Sequence, residues 1–267
     1  MTIGVVGANG FVGRSLCNTY LRENNTVFSF FHKNSSLIPN GCVKVPLESN
    51  FKQQLDCIVI AIGGHGFTHQ HYLDQYLSIQ KIINKYKYHK IIFISSTEVY
   101  GRNKNIIKVD SCFNNPNTYG LSKICQEFVI KSLPNYTIIR PTYLYGKGMN
   151  NNSLLPTWIN AAKDKLEVVV YGDGKRQQDY LHIDDLSQLC WLSTINNVKN
   201  NIVIAATGKS ISNYEIAKEI CNNVSGAFVK FLGDDNTESS QFDVSHTHTS
   251  YNWTAKHSIK EWLKENI

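Results

Sequence analysis

The segment Gly7-Ala8-Asn9-Gly10-Phe11-Val12-Gly13 stands between an apolar run at 3–6 and a stretch at 11–22 whose apolar residues recur at helical spacing. It constrains the fold more than any other feature of the chain. Glycines so spaced let a strand turn tightly into a helix and let that helix pack close to the strand. They also leave backbone N–H groups and the positive end of the helix turned towards an anion. A pyrophosphate suits such a turn, so Gly7, Asn9, Gly10, Phe11, Val12 and Gly13 are candidate dinucleotide contacts. The glycines alone fit a plain turn as well, and it is their place behind an opening strand that favours the dinucleotide. A chain that begins in this way is expected to continue as parallel strands joined by helical crossovers. Strand-like runs do follow at 27–31, 57–62, 90–95 and 136–139, with a weaker one near 42–45. Helix-like stretches at 71–86 and 119–131 lie between them, the first carrying Tyr72, Tyr76, Ile79, Ile83 and Tyr86 on one side. The expected fold is α/β, an open doubly wound parallel sheet.

Beyond Pro141 the texture changes to Gly, Asn and Tyr turns, yet 183–195 and 201–205 read as one more helix and strand of the same kind. A small C-terminal lobe is therefore expected to be interleaved with the sheet. Residues 1–145 and 177–207 are assigned to the dinucleotide domain, and residues 146–176 and 208–267 to a substrate lobe. With 267 residues, 42% of them hydrophobic, the chain can bury a core without metal or disulfide. Its net charge of +6 comes with no run of Lys or Arg, which disfavours nucleic acid and membrane surfaces as partners. Seven scattered cysteines without C-x-x-C fit neither a disulfide framework nor a zinc ribbon, and point to a reducing, cytoplasmic setting. No basic segment precedes the opening apolar run, and no apolar stretch approaches the roughly 20 residues of a membrane span.

Other residues carry chemistry. A carboxylate after the second strand would bind ribose hydroxyls and repel a 2′-phosphate. Here the chain reads Phe31-His32-Lys33-Asn34, so His32 and Lys33 favour NADP slightly over NAD. Tyr119 and Lys123 stand four residues apart on one helix face. A phenol becomes a useful base near neutrality only if its pKa falls by about three units, roughly 4 kcal/mol of differential stabilisation, which a neighbouring ammonium could help to supply. The run Ser95-Ser96-Thr97-Glu98-Val99-Tyr100-Gly101 closes a strand and would reach the crevice at the carboxyl ends of the sheet. His65, His69 and His71 cluster loosely, and His246 and His248 share one side of a possible strand. Neither group has a completing carboxylate or Cys, so no metal is expected.

Taken together, the glycine turn, Ser-Ser-x-x-Val-Tyr-Gly, Pro116 to Lys123, Arg140-Pro141 with Tyr145-Gly146, and Asp179-Tyr180-Leu181-His182-Ile183-Asp184-Asp185 span nearly the whole chain. In this order the chain resembles the extended short-chain dehydrogenase/reductases, the NAD(P)-dependent nucleotide-sugar epimerase/dehydratase/reductase family with a Rossmann sheet. The resemblance implies that Ser96 hydrogen-bonds the reacting sugar oxygen, that Tyr119 is the acid/base, and that Lys123 binds the nicotinamide ribose and lowers the tyrosine pKa. It implies substrate contacts from Ser96, Thr97, Arg176 and Gln178, and a homodimer paired through 71–86 and 119–131. Gln178 stands where the family often has the Arg of a diphosphate site, with Arg176 two residues earlier, and Gln75 stands where it often has Asn.

The function implied is NAD(P)-dependent chemistry at C4 of a nucleotide-activated sugar, as a 4-ketoreductase or a 4-epimerase. One alternative is a 4,6-dehydratase with Glu98 as the base for the C5 proton, although Thr97 stands where such enzymes place an acid. Glu98 could equally cap its turn or face solvent. A second alternative, of another class, is a non-catalytic dinucleotide sensor, which would have no need of Ser96, Tyr119 and Lys123 together.

Overall fold

A computed structural model describes residues 1–64, 68–103 and 106–267. The chain runs β1 (Thr2–Val6), α1 (Phe11–Arg22), β2 (Thr26–Phe31), β3 (Val43–Pro46), β4 (Leu55–Ile60), α2 (His69–Lys85) and β5 (Tyr88–Ile94). A 3₁₀ turn (Thr97–Tyr100) precedes α3 (Thr118–Lys131), β6 (Tyr136–Pro141), β7 (Tyr143–Tyr145), α4 (Leu154–Lys165), β8 (Glu167–Tyr171), β9 (Gln177–Gln178) and β10 (Tyr180–His182). The remainder is α5 (Ile183–Ile195), β11 (Asn201–Ala205), β12 (Ile211–Ser212), α6 (Asn213–Asn222), β13 (Phe228–Leu232), α7 (Ser245–Tyr251) and α8 (Ile259–Asn266).

Seven strands form one parallel sheet in the order β11-β6-β5-β4-β1-β2-β3. The order reverses between β1 and β4, and the crevice at their carboxyl ends is where such a sheet takes a ligand. Alternation along the strands explains why both faces are covered. Ile3, Val5, Cys57, Val59, Ile92 and Ile94 pack on one side with Leu16 of α1 and Leu186 of α5. Val6, Ile58, Ile60, Ile91 and Phe93 pack on the other with Ile79 of α2 and Ile130 of α3. At about 25 cal/mol per Å² of apolar area, this two-sided burial is the main force holding the sheet. Lys90 shares the first face and is buried; its ammonium donates to the carbonyls of Ser193, Asn196 and Val198 at 2.5, 2.9 and 3.3 Å, closing the carboxyl end of α5.

A separate cluster joins α4, α6, α8, β8 and β10 around Leu155, Trp158, Val168, Tyr180, Ile216 and Leu263. β8 pairs in parallel with β13, and β9 antiparallel with β12, outside the large sheet. Within the stretch 208–267, α7 returns to the sheet layer, where Tyr251 and Trp253 join the core beneath α5. His246 and His248 lie on α7, a helix and not the strand expected from the sequence. The His-Thr-His-Thr alternation imitates a two-residue period, whereas burial of Thr247 and Tyr251, four residues apart, is what fixes the segment as a helix. Among the described residues no helix is long and apolar enough to cross a membrane.

Candidate active site

The glycine turn fits a pyrophosphate on grounds visible in the backbone. Gly10 is the N-cap of α1, no side chain caps that end, and the first turn holds no acidic residue. The N–H groups and the positive helix end are thus left to an anion. A Cβ on Gly13 would stand 2.1 Å from the Gly7 carbonyl oxygen, so only glycine lets α1 approach β1 this closely. Asn9 acts differently, because its Oδ1 accepts from the Leu37 N–H at 3.0 Å and ties the loop after β2 to the turn. His32 and Lys33 lie exposed at the start of that loop, beyond the end of β2.

Phe11 and Val12 begin one wall of a cleft of about 640 Å³, which continues over Ser96, Thr97, Glu98, Tyr119 and Lys123 to Arg176 and Gln178. Phe11 and Val12 of the predicted cofactor contacts thus share one cleft with the predicted catalytic and substrate residues, at the carboxyl ends of β1, β4 and β5, whereas Gly7, Asn9, Gly10, Gly13, His32 and Lys33 are not among the residues that line it. Tyr119 and Lys123 reach it because α3 lies close over the 3₁₀ turn. A Cβ on Gly120 would meet the Glu98 carbonyl oxygen at 2.2 Å. Asn117 caps α3 by accepting from the Gly120 N–H at 2.8 Å, while its Nδ2 donates to Glu98 Oε2 at 2.8 Å. The sequence marks Asn117 and Gly120 as parts of a motif only; their spacing, a cap residue three before a glycine, is the signal for this contact.

Ser96 is buried, accepts from the Glu98 N–H at 3.1 Å and hydrogen-bonds the Tyr119 phenol. Thr97 spends its hydroxyl on the Pro141 carbonyl at 3.3 Å. Glu98 is itself exposed, but on the cleft side, held there by Asn117. Lys123 is 1% exposed and donates to the carbonyls of Ile62 and Ile94 at 3.0 and 3.1 Å, at the ends of β4 and β5, with its ammonium 4.9 Å from the Phe93 ring centre.

The electrostatics of the protein alone bear on one expectation. The family resemblance has Lys123 lowering the tyrosine pKa, yet burial pushes Tyr119 up to about 12, against the downward effect of Ser96 and with Glu98 and Tyr72 adding to the rise. Burial brings Lys123 down to about 7. The lysine ammonium lies 5.9 Å from the Tyr119 ring centre and points at backbone carbonyls, so in the protein alone desolvation outweighs any help it gives the phenol.

Beneath the hydroxyls lies a buried network whose roles the sequence does not reveal. Arg140 pairs with Glu127 through Nε and Nη2 at 2.9 and 2.7 Å, and Ser95 donates to the same carboxylate at 2.6 Å. Arg140 also donates to the Tyr100 hydroxyl at 2.7 Å and the Val109 carbonyl at 3.2 Å. Ser95, Tyr100 and Arg140 are motif residues in the sequence; together they anchor both sides of Ser96. On the far wall Arg176 donates to the Glu238 carbonyl at 3.3 Å, and Gln178, buried, donates to Asn213 at 3.4 Å. Gln75 bonds His71 at 2.6 Å and the Gly64 carbonyl at 3.3 Å, its Oε1 buried without a partner among the described residues. His65 falls outside the described residues, and His69 opens α2.

The model of the NAD dependent epimerase/dehydratase family matches residues 3–205, which takes in the glycine turn, the hydroxyl strand, Tyr119 and Lys123. The chain belongs to that family. Among curated relatives it is 27% identical over 194 residues to a dTDP-D-glucose 4,6-dehydratase of Dictyostelium discoideum, covering 66% of this chain and 42% of that protein. It is 24% identical over 238 residues to a GDP-6-deoxy-D-talose 4-dehydrogenase of Aggregatibacter actinomycetemcomitans, covering 83% of this chain and 79% of the relative. Among solved structures, MoeE5 in complex with UDP-glucose and NAD superposes with a TM-score of 0.86 at 19% identity, over 98% of this chain and 96% of the other. UDP-glucuronic acid 4-epimerase from Bacillus cereus, in complex with UDP-glucuronic acid and NAD, gives 0.84 at 20% identity over 99% and 97%. These likenesses establish the Rossmann-type fold to which the glycine turn points.

Proposed function

We propose that the protein is an NAD(P)-dependent enzyme acting at C4 of a nucleotide-activated sugar, as a 4-ketoreductase or 4-epimerase. The observation that carries this reading is the convergence of Ser96, Tyr119 and Lys123 on the cleft that the glycine turn opens. A bound dinucleotide would accept or return the hydride. Ser96 holds the C4 oxygen and Tyr119 moves its proton. Lys123, freed from the Ile62 and Ile94 carbonyls, offers its ammonium to the nicotinamide ribose and to the phenol. The proposed lobe of 146–176 and 208–267 closes over the sugar, with Arg176 as the cation for the diphosphate and Gln178 as an amide contact. His32 and Lys33, exposed where a carboxylate would repel a 2′-phosphate, tilt the proposal towards NADP, while the related structures named above hold NAD.

A second reading, the 4,6-dehydratase, draws on Glu98. Its carboxylate lines the same cleft and is oriented by Asn117, as a base for the C5 proton would need to be, and one curated relative is a 4,6-dehydratase. The enzyme is proposed to work in the cytoplasm as a homodimer paired through α2 and α3. Those helices leave Leu73, Leu77, Leu121 and Phe128 exposed, the last at 65%. Phe128→Glu is expected to give a monomer in sedimentation.

The deciding experiment incubates the protein with oxidised and reduced NAD and NADP against nucleotide sugars and 4-keto sugars, and follows products by mass. A gain of two hydrogens marks a reductase, an isomer of equal mass an epimerase, and loss of water a dehydratase. Tyr119→Phe should lower turnover by about 10²- to 10⁴-fold while leaving dinucleotide binding in place. Unchanged turnover would sink the mechanism.

A further inference from the structure

Where β10 meets α5, the fold gathers ligating side chains that the proposed reaction does not use. His182 ends β10 and caps α5, Asp184 lies in the first turn of α5, and His257 stands in the segment between α7 and α8. One ring nitrogen of each histidine and one carboxylate oxygen of Asp184 lie within 4.8 Å of one another. Among the described residues no other three His, Cys, Asp or Glu side chains are so placed. None of these three lines the cleft that holds Ser96, Tyr119 and Lys123.

Neighbours orient each of them. Asp184 Oδ1 accepts from the Ser15 hydroxyl at 3.2 Å, and Oδ2 stands 3.9 Å from His182 Nδ1. Buried Asp185 accepts from the His257 backbone N–H at 3.0 Å, and its other carboxylate oxygen is 2.9 Å from His257 Nδ1. A carboxylate facing an imidazole nitrogen keeps the proton there, so the lone pair of His257 is at Nε2. Metal-ligating histidines are commonly held in this way, by a carboxylate on the nitrogen that does not bind the ion. His182 is buried, and its Nδ1 accepts only a long bond from the Asp184 N–H at 3.3 Å.

We propose that His182, Asp184 and His257 form a site for a divalent first-row transition ion such as Zn²⁺, which clasps the segment before α8 to the start of α5. Two imidazoles and a carboxylate are a donor set that zinc accepts, the fourth position going to water. Ligands about 2.1 Å from a tetrahedral ion stand roughly 3.4 Å from one another, so the trio must draw together by about 1 Å. That movement falls to Asp184 and His257, whose side chains are 47% and 46% exposed, while His182 stays in place. The two imidazoles stack with ring centres 4.2 Å apart and planes at 27°. An ion has to lie near the plane of each ring, so binding opens the stack. His182 and Asp184 face a cavity of about 850 Å³ that gives the ion its entry. Arg14 and Lys147 on the wall of that cavity disfavour a cation held by charge alone, so the imidazoles supply the affinity and select against Mg²⁺ and Ca²⁺.

The test uses the full chain, stripped of metal with a chelator and with the exposed Cys112 and Cys125 replaced by Ser. Calorimetric titration with zinc chloride near neutral pH should give about one equivalent bound, while magnesium chloride gives no heat of binding. His257→Ala and Asp184→Asn, both at exposed side chains, should each weaken zinc by about tenfold or more. His182→Asn, which keeps a capping acceptor for α5, should do the same, and His246→Ala on α7 should change nothing. Circular dichroism checks that each variant is folded. With Co²⁺ in place of zinc, the visible spectrum should show nitrogen and oxygen ligands without a thiolate charge-transfer band. No binding at millimolar zinc, an unchanged affinity in His257→Ala and Asp184→Asn, or a thiolate band would each overturn the proposal. The site does not depend on the function proposed above, and a chain that turns over no nucleotide sugar would leave it standing.

Discussion

Replacing Glu127 by Gln should cost the protein about 3–5 kcal/mol of stability, far more than the loss of one ordinary hydrogen bond. The side chains of Glu127 and Arg140 are 2% and 3% exposed, so neither charge has water to fall back on. The carboxylate accepts three hydrogen bonds, two from the guanidinium and one from Ser95. A glutamine keeps one accepting oxygen but turns an NH2 group towards a donor, whichever way it is placed. One charge-assisted bond is lost, worth about 1.5–3 kcal/mol, and the guanidinium is left buried with only neutral acceptors. Urea unfolding, read as a change in midpoint at constant slope, measures the loss. The companion variant is Glu127→Leu with Arg140→Met, which removes both charges and should recover at least half of it, because no unpaired ion remains. A Glu127→Gln loss below about 1 kcal/mol, or a double variant less stable than the two single ones summed, would refute this account. Where the amide nitrogen takes the place of Oε1 rather than Oε2, Ser95 loses its acceptor as well, and kcat for the reaction proposed at C4 should then fall more than KM rises.

Three further outcomes are expected. Gly13→Ala places a methyl 2.1 Å from the Gly7 carbonyl and 2.7 Å from Ala8 Cα, both backbone; it should cost about 2–3 kcal/mol in thermal unfolding and weaken dinucleotide binding at least tenfold in fluorescence titration. Lys123 is lowered from 10.5 to about 7, so between those values the unfolded chain holds more protons than the folded one and stability rises with pH. Lys123→Met should remove that rise from denaturation curves of the dinucleotide-free protein, and a slope left intact would show that another group carries it. Glu98→Gln should abolish water loss from a nucleotide sugar if the chain is a dehydratase, and should leave a reductase or epimerase within about threefold of its original rate, as mass analysis of products would reveal.

The sheet is legible in the sequence because its strands are buried on both faces and its glycine turn has few other uses. Residues 11–22, 183–195 and 201–205 appear with the bounds their periodicity implies. Strand ends are less legible: the run at 57–62 falls two residues late at each end, because Leu55 and Asp56 already belong to β4 while Ala61 and Ile62 turn into the cleft. The proposed catalytic trio can be found from residue types, since the chemistry proposed demands a hydroxyl, a phenol and an ammonium. What holds the trio cannot, because Glu127 looks like any helix glutamate, and only the fold shows that the carboxylate faces Arg140 on the following strand. The same holds for the electrostatics. Four-residue spacing brings Lys123 beside Tyr119, but which way the ammonium points is decided by the Ile62 and Ile94 carbonyls, at the ends of other strands. A lysine so held has little effect on the phenol. On the function proposed above, a dinucleotide that draws Lys123 off those carbonyls would bring its charge to the phenol, and cofactor binding and the proposed acid/base would be coupled through one side chain.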